Sequence, residues 1–148
     1  GGSLGTLKHK VRMRIAVDTD VLLDLLVLRA GHVEPALRAV HAAQSQGVEL
    51  VTTACVLQNA YFVGQRHYAE FWSLERWLDL LDSVELIGVP KAALERAVDY
   101  VDYEDALLAL SMQHAAVRIL WTRNAKDFKE FASITALSPE AYLAGLQS

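Results

Sequence analysis

The 148-residue chain has a single cysteine, Cys55, so no disulfide can close within it. That usage fits a reducing compartment and points to the cytoplasm. There is no cationic excess: fourteen Lys and Arg stand against eighteen Asp and Glu, a formal charge of −4. A broad basic surface for gripping duplex DNA is thereby excluded, and nucleic acid would have to be met through a local basic patch or metal ions. Long hydrophobic runs are missing too. The longest uncharged stretch, residues 50–65, has sixteen residues and includes two Thr, two Gln and an Asn. A bilayer span needs about twenty apolar residues, so no membrane segment is expected. No signal peptide, internal repeat or Pro/Gly/Ser-rich linker stands out. What is present is 53% hydrophobic and 22% charged. That fills the core of one ordinary domain and excludes a disordered chain.

Gly1-Gly2-Ser3 reads as a cloning remnant, and residues 1–12 as that remnant or a flexible lead-in. Met13 is a candidate natural start, and 13–148 reads as one domain. Short apolar runs then alternate with helical stretches. Strands are expected at Arg14–Val17, Val48–Thr52, Val84–Val89, Val117–Trp121 and Ile134–Leu137. Helices are expected at Val21–Arg29, capped by Asp20 and closed by Gly31; from about Pro35 to Gly47; and at Ala54–Arg66. Others follow at Tyr68–Leu81, at Lys91–Tyr100, and at Ala106–Met112, which is nearly all apolar and should be buried. A short helix through Phe131 and a last one opened by Pro139 complete the chain. Such alternation predicts an α/β fold, a mostly parallel sheet of about five strands with helices on both faces.

In such sheets ligands sit beyond the carboxyl ends of the strands. Asp18 and Asp20 follow the first strand, Asp102 and Asp105 open the buried helix, Thr122, Asn124 and Asp127 follow the fourth strand, and Asn59 lies in the helix after the second. Each has a plain structural reading. Asp20 fits an N-cap, and Asp102 with Asp105, like Asn124 with Asp127, has capping-box spacing. Asp18 ends an apolar strand and needs a partner to justify its place. Taken together, acidic sites gathered on one sheet edge would repel one another without a cation. Carboxylate oxygens suit Mg2+ or Mn2+, and such an ion can activate water for attack on a phosphodiester. That would let an acidic protein act on RNA.

Ile15–Leu26 (IAVDTDVLLDLL), Asp102–Ser111 (DYEDALLALS) and Leu120–Phe128 (LWTRNAKDF) resemble, in order, the signature segments of the PIN-domain family. Ile134–Leu146 (ITALSPEAYLAGL) resembles that family's last strand and helix, and the VapC-like toxins are the most similar subgroup. The resemblance implies a three-layer α/β/α sandwich and a metal-dependent ribonuclease, the toxin of a toxin–antitoxin pair. It implies Asp18, Asp105 and Asp127 as catalytic metal ligands, with Asp20, Asn59, Asp102, Thr122 and Asn124 as supporting polar groups. Two departures stand out. Asp20 replaces the family's usual Asn, and Asn59 takes the slot of a usual Glu, which exchanges a charge for a neutral oxygen. An alternative is therefore an impaired PIN-like domain that binds RNA or protein without cutting.

Arg123, Lys126 and Lys129 flank the acidic edge and are candidates for RNA phosphates, or simply a solvated face. The five histidines, His9, His32, His41, His67 and His114, lack zinc-ligand spacing and read as surface or packing residues. Cys55 reads as a small buried hydrophobe, Trp121 as core, and one of Trp72 and Trp77 as exposed. With the Phe71, Leu74, Leu78, Leu81 stripe, that exposed Trp predicts a homodimer face or an antitoxin groove. The run IAVDTDV also resembles the opening motif of haloacid-dehalogenase-type phosphatases, with Asp18 as nucleophile and Asp20 as acid. The lysine that reading needs, Lys126, then follows the acidic pair instead of preceding it.

Overall fold

A computed structural model describes residues 12–147. The lead-in expected over residues 1–12 lies outside the described residues except for Arg12, and so does His9. Arg14–Val17 forms β1, followed by α1 (Thr19–Leu26), α2 (Val33–Ser45) and β2 (Glu49–Thr52). Then come α3 (Ala54–His67), α4 (Leu74–Ser83), β3 (Glu85–Leu86), α5 (Lys91–Arg96), α6 (Tyr103–His114), β4 (Ile119–Trp121), β5 (Thr135–Leu137) and α7 (Pro139–Leu146). Short 3-10 turns cover Ala69–Phe71, Ala97–Asp99 and Ala125–Phe128.

The five strands are all parallel, in the order β3-β2-β1-β4-β5. The chain winds outward from β1 to β3, then returns to the other side of β1 for β4 and β5. Right-handed crossovers put helices on opposite sheet faces when the winding reverses like this, and they open a crevice beyond the carboxyl ends beside β1. Ile15, Ala16 and Val17 are almost without exposed surface, as is every residue of α6 from Ala106 to Met112. Burial on both sides explains why β1 and α6 read as continuous apolar runs.

Several expectations shift. The first helix starts two residues earlier, because Asp18, not Asp20, is its N-cap and accepts the Thr19 N–H at 2.8 Å. The helix expected over Tyr68–Leu81 is broken. Residues 69–71 make a 3-10 turn, and Ser73 caps a fresh start by accepting the Arg76 N–H at 3.3 Å. The strand expected at Val84–Val89 shrinks to Glu85–Leu86, and the helix expected to reach Tyr100 ends at Arg96 in a 3-10 turn. Cys55 is exposed, since it lies in the first turn of α3 on the side away from buried Val56 and Leu57. Neither Trp72 nor Trp77 is exposed. Both rings pack edge-on against Tyr61, with centroids 5.1 Å away in each case. No described helix is long and apolar enough to cross a membrane.

Candidate functional site

Beyond the carboxyl ends of β1 and β4 lies a cleft of about 390 Å3 whose walls include Asp18, Asp20, Asn59, Glu104, Asp105 and Asn124. Four separate stretches of chain supply these side chains, and the parallel sheet brings them together. β1 delivers Asp18 directly. Its N–H continues the ladder to the Trp121 carbonyl at 3.0 Å, which fixes the backbone where the strand becomes α1. Its carboxylate is held at both ends, Oδ1 by the Thr19 N–H and Oδ2 by the Thr122 hydroxyl at 2.9 Å. Thr122 is fully buried, and its Oγ1 in turn accepts the Asn124 N–H at 3.1 Å. The residue after β4 therefore orients the residue after β1.

Asp20 sits in the first turn of α1. Its Oδ1 accepts the Val21 N–H at 2.7 Å, and its Oδ2 accepts the Arg123 N–H at 2.9 Å and the Asn124 amide at 3.3 Å. Asn124 thus serves Asp20 and makes no side-chain cap of its own, contrary to the capping-box reading. Asp102 does cap α6, with its Oδ1 accepting the Asp105 N–H at 3.0 Å. That cap aims the first turn of α6 at the cleft. Asn59 uses its amide N–H groups on Thr19 Oγ1 at 3.5 Å and on Glu104 Oε2 at 3.4 Å, so it faces the cleft as a donor.

Burial and crowding shift these carboxyls. Burial first, then the charge of Asp20, pushes the Asp18 carboxyl up to about 6, against the bonds from Thr19 and Thr122. Burial, followed by the charges of Asp18, Asp102 and Asp127, pushes Asp105 up to about 7. Burial also raises Asp20, opposed by Arg123. The Asp18 charge therefore reaches Asp105 although the two are far apart along the chain, and two such acids can bind a cation or hold a proton near neutrality.

Asp127 is exposed and lies off the cleft wall, although its charge reaches Asp105. Among the described residues no group of three or more His, Cys, Asp or Glu side chains is spaced to enclose a metal ion. Lys126 is also exposed and off the wall. The Arg123 guanidinium, expected to face phosphate, turns inward onto Asp24, which has no exposed surface. Sequence reasoning missed Asp24, Glu104 and Arg29 altogether. Asp24 carried a usable signal, since a carboxylate on a helix otherwise lined with Leu and Val must find a partner. Glu104 stood between two residues already singled out.

A family model described as the PIN domain matches residues 14–126. No curated protein matches the sequence. Among solved structures, VapBC2 from Rickettsia felis, bound to a promoter DNA fragment, aligns with a TM-score of 0.64 at 15% identity, covering 84% of this chain and 97% of that one. A toxin–antitoxin complex from Klebsiella pneumoniae aligns at 0.56 with 22% identity, again over 84% and 97%. PAE2754 from Pyrobaculum aerophilum aligns at 0.61 with 15% identity, over 91% of this chain and 90% of that one. At these identities the structural likeness speaks for the fold.

Proposed function

The chain belongs to the PIN-domain family, and we propose that it acts there as a divalent-metal-dependent ribonuclease, the cytoplasmic toxin of a toxin–antitoxin pair. The observation that carries this reading is that Asp18 and Asp105 line one cleft, where burial raises both carboxyls and the Asp18 charge pushes Asp105 up further. The donor set is all oxygen, which suits Mg2+ or Mn2+. Mg2+ is commonly held by one or two carboxylates, with waters and substrate phosphate completing its shell, so an open pair fits it better than a closed cage. Asp18 and Asp105 would hold the ion, with Asp127 and Asp102 adding negative charge from the rim. When bound, such an ion activates water and neutralises charge on the phosphodiester under attack.

The chain's own residues do the positioning. Thr122 and the Thr19 N–H fix the Asp18 carboxylate, and the Arg123 N–H with the Asn124 amide fixes Asp20. Lys126, exposed beside this edge, is the proposed contact for RNA phosphates. The phosphatase reading falls with the family match, and Lys126, the lysine it requires, lies off the cleft wall.

A second reading rests on Asn59, whose amide presents donors where a carboxylate would accept. In that reading the domain binds RNA or protein without cutting. An RNA cleavage assay across Mg2+ and Mn2+ concentrations separates the two. The ribonuclease reading expects cleavage that chelator and Asp18→Asn both abolish. Cleavage indifferent to chelator, or none at any metal concentration, contradicts it.

One solved structure with this fold, that from Klebsiella pneumoniae, is a toxin–antitoxin complex by its own description. An antitoxin is accordingly the proposed partner here. Leu74, Leu78 and Leu81 recur along α4 and are exposed, as is Phe71 just before it, an apolar face of the kind a partner helix covers. A homodimer is the second proposed assembly. Sedimentation showing only monomer at high concentration would count against it.

A further inference from the structure

Among the described side chains on the cleft wall, all the charges are negative except one, and that one is Arg29. It follows α1 and is held by two residues, Tyr68 and Asp24. Its Nη2 donates to the Tyr68 hydroxyl at 3.2 Å, its guanidinium lies 5.5 Å from the Tyr68 ring centroid, and its Nη1 stands 3.5 Å from Asp24 Oδ1. Asp24 is already neutralised, because Arg123 grips both its oxygens. Arg29 is thus not needed to balance Asp24, and it lines the cleft with its side chain one-third exposed, 33%. A guanidinium has more N–H donors than these contacts use, arranged to match a phosphate edge.

We propose that Arg29 is the phosphate anchor of the cleft, binding a backbone phosphate of single-stranded RNA while the carboxylates of Asp18 and Asp105 serve the bond to be cut. This rests on the ribonuclease reading. Tyr68 and Asp24 are its positioning residues, holding the guanidinium so that little side-chain freedom is lost on binding.

The test combines steady-state cleavage of a labelled single-stranded RNA with anisotropy of the same RNA on Asp18→Asn protein. Arg29→Ala should raise KM and Kd about tenfold with the loss falling on KM more than on kcat. It should also flatten the log–log salt dependence of binding by about 0.7, the share of one phosphate contact on a single strand. Arg29→Lys should keep the salt slope and lose part of the affinity, and Tyr68→Phe, which removes only the tether, should weaken binding by about two- to threefold. Arg38→Ala, on exposed α2 surface, should change neither quantity. A salt slope and KM unmoved in Arg29→Ala overturn the inference, and so does a loss equal to that of Arg38→Ala. If the parent cuts RNA in either case, the ribonuclease reading survives alone. A parent that neither binds nor cuts RNA removes both.

Discussion

Asp24 and Arg123, ninety-nine residues apart, form a two-pronged ion pair in which the Asp24 oxygens have no exposed surface and Arg123 Nη2 lies 2.6 Å from Oδ1. The pair bolts α1 to the loop after β4. The same arginine donates its backbone N–H to Asp20, so one residue serves the core with its side chain and the cleft with its main chain. Removing one partner of a buried pair strands the other charge, which costs roughly 3–5 kcal/mol. Arg29 remains 3.5 Å from Asp24 as a partial substitute. Arg123→Ala should therefore lose stability at the low end of that range, about 3 kcal/mol, read by urea unfolding. A loss below about 0.5 kcal/mol would mean the pair is a surface ornament.

Asp18→Asn should abolish cleavage while making the metal-free protein more stable. The amide keeps an oxygen for the Thr19 N–H and removes the charge that Asp20 and Asp105 oppose. A gain of about 1 kcal/mol, roughly 2–4 °C in melting temperature, is expected at pH 8 without metal. A melting temperature that falls instead would show the Asp18 carboxylate to be a net stabiliser.

The pH dependence has a definite sign. Asp18 and Asp105 have carboxyls raised to about 6 and about 7, so the folded state binds their protons more tightly than the unfolded chain does. Their contribution to stability is fully present below about pH 4, the unfolded carboxyl range, and fades as pH rises through 6 and 7. Metal-free parent should thus lose stability from pH 5 to pH 8 relative to the Asp18→Asn/Asp105→Asn double variant. Parallel curves for the two proteins would contradict the raised carboxyls.

Gly64 tests the aromatic cluster under α3. A Cβ built there would sit 2.5 Å from the Trp72 ring, and Trp72 is wedged against Tyr61 and Trp77. Gly64→Ala should cost about 1–3 kcal/mol by overpacking, with a shift in tryptophan fluorescence. Neutral behaviour would mean the Trp72 ring moves freely.

The strands, their parallel pairing and the carboxylates at the sheet edge were legible because each is written locally. An apolar run too short for a helix ends in Asp18, and another ends just before Thr122. What stayed hidden depends on partners far along the chain. Asp20 read as the cap of the first helix, and the Asp18 position is fixed instead by Trp121 and Thr122 across the sheet. Arg123 read as an RNA contact because nothing nearby shows that Asp24 will claim it. The stripe of Leu74, Leu78 and Leu81 is outward as its reading as a partner face requires, but the exposed Trp expected beside it is not there, because Tyr61 on another helix packs against both Trp72 and Trp77.

The account stands on Asp18 and Asp105 sharing one cation, and calorimetric titration of Mn2+ into the full chain, paired with thermal melts, tests it most directly. Ion at about 100 times its Kd should stabilise the parent by about 2.7 kcal/mol. Asp18→Asn and Asp105→Asn should each lose most of the heat and of the melting shift, whereas Arg38→Ala should keep both. Titrations in which either single variant binds Mn2+ as the parent does would contradict it.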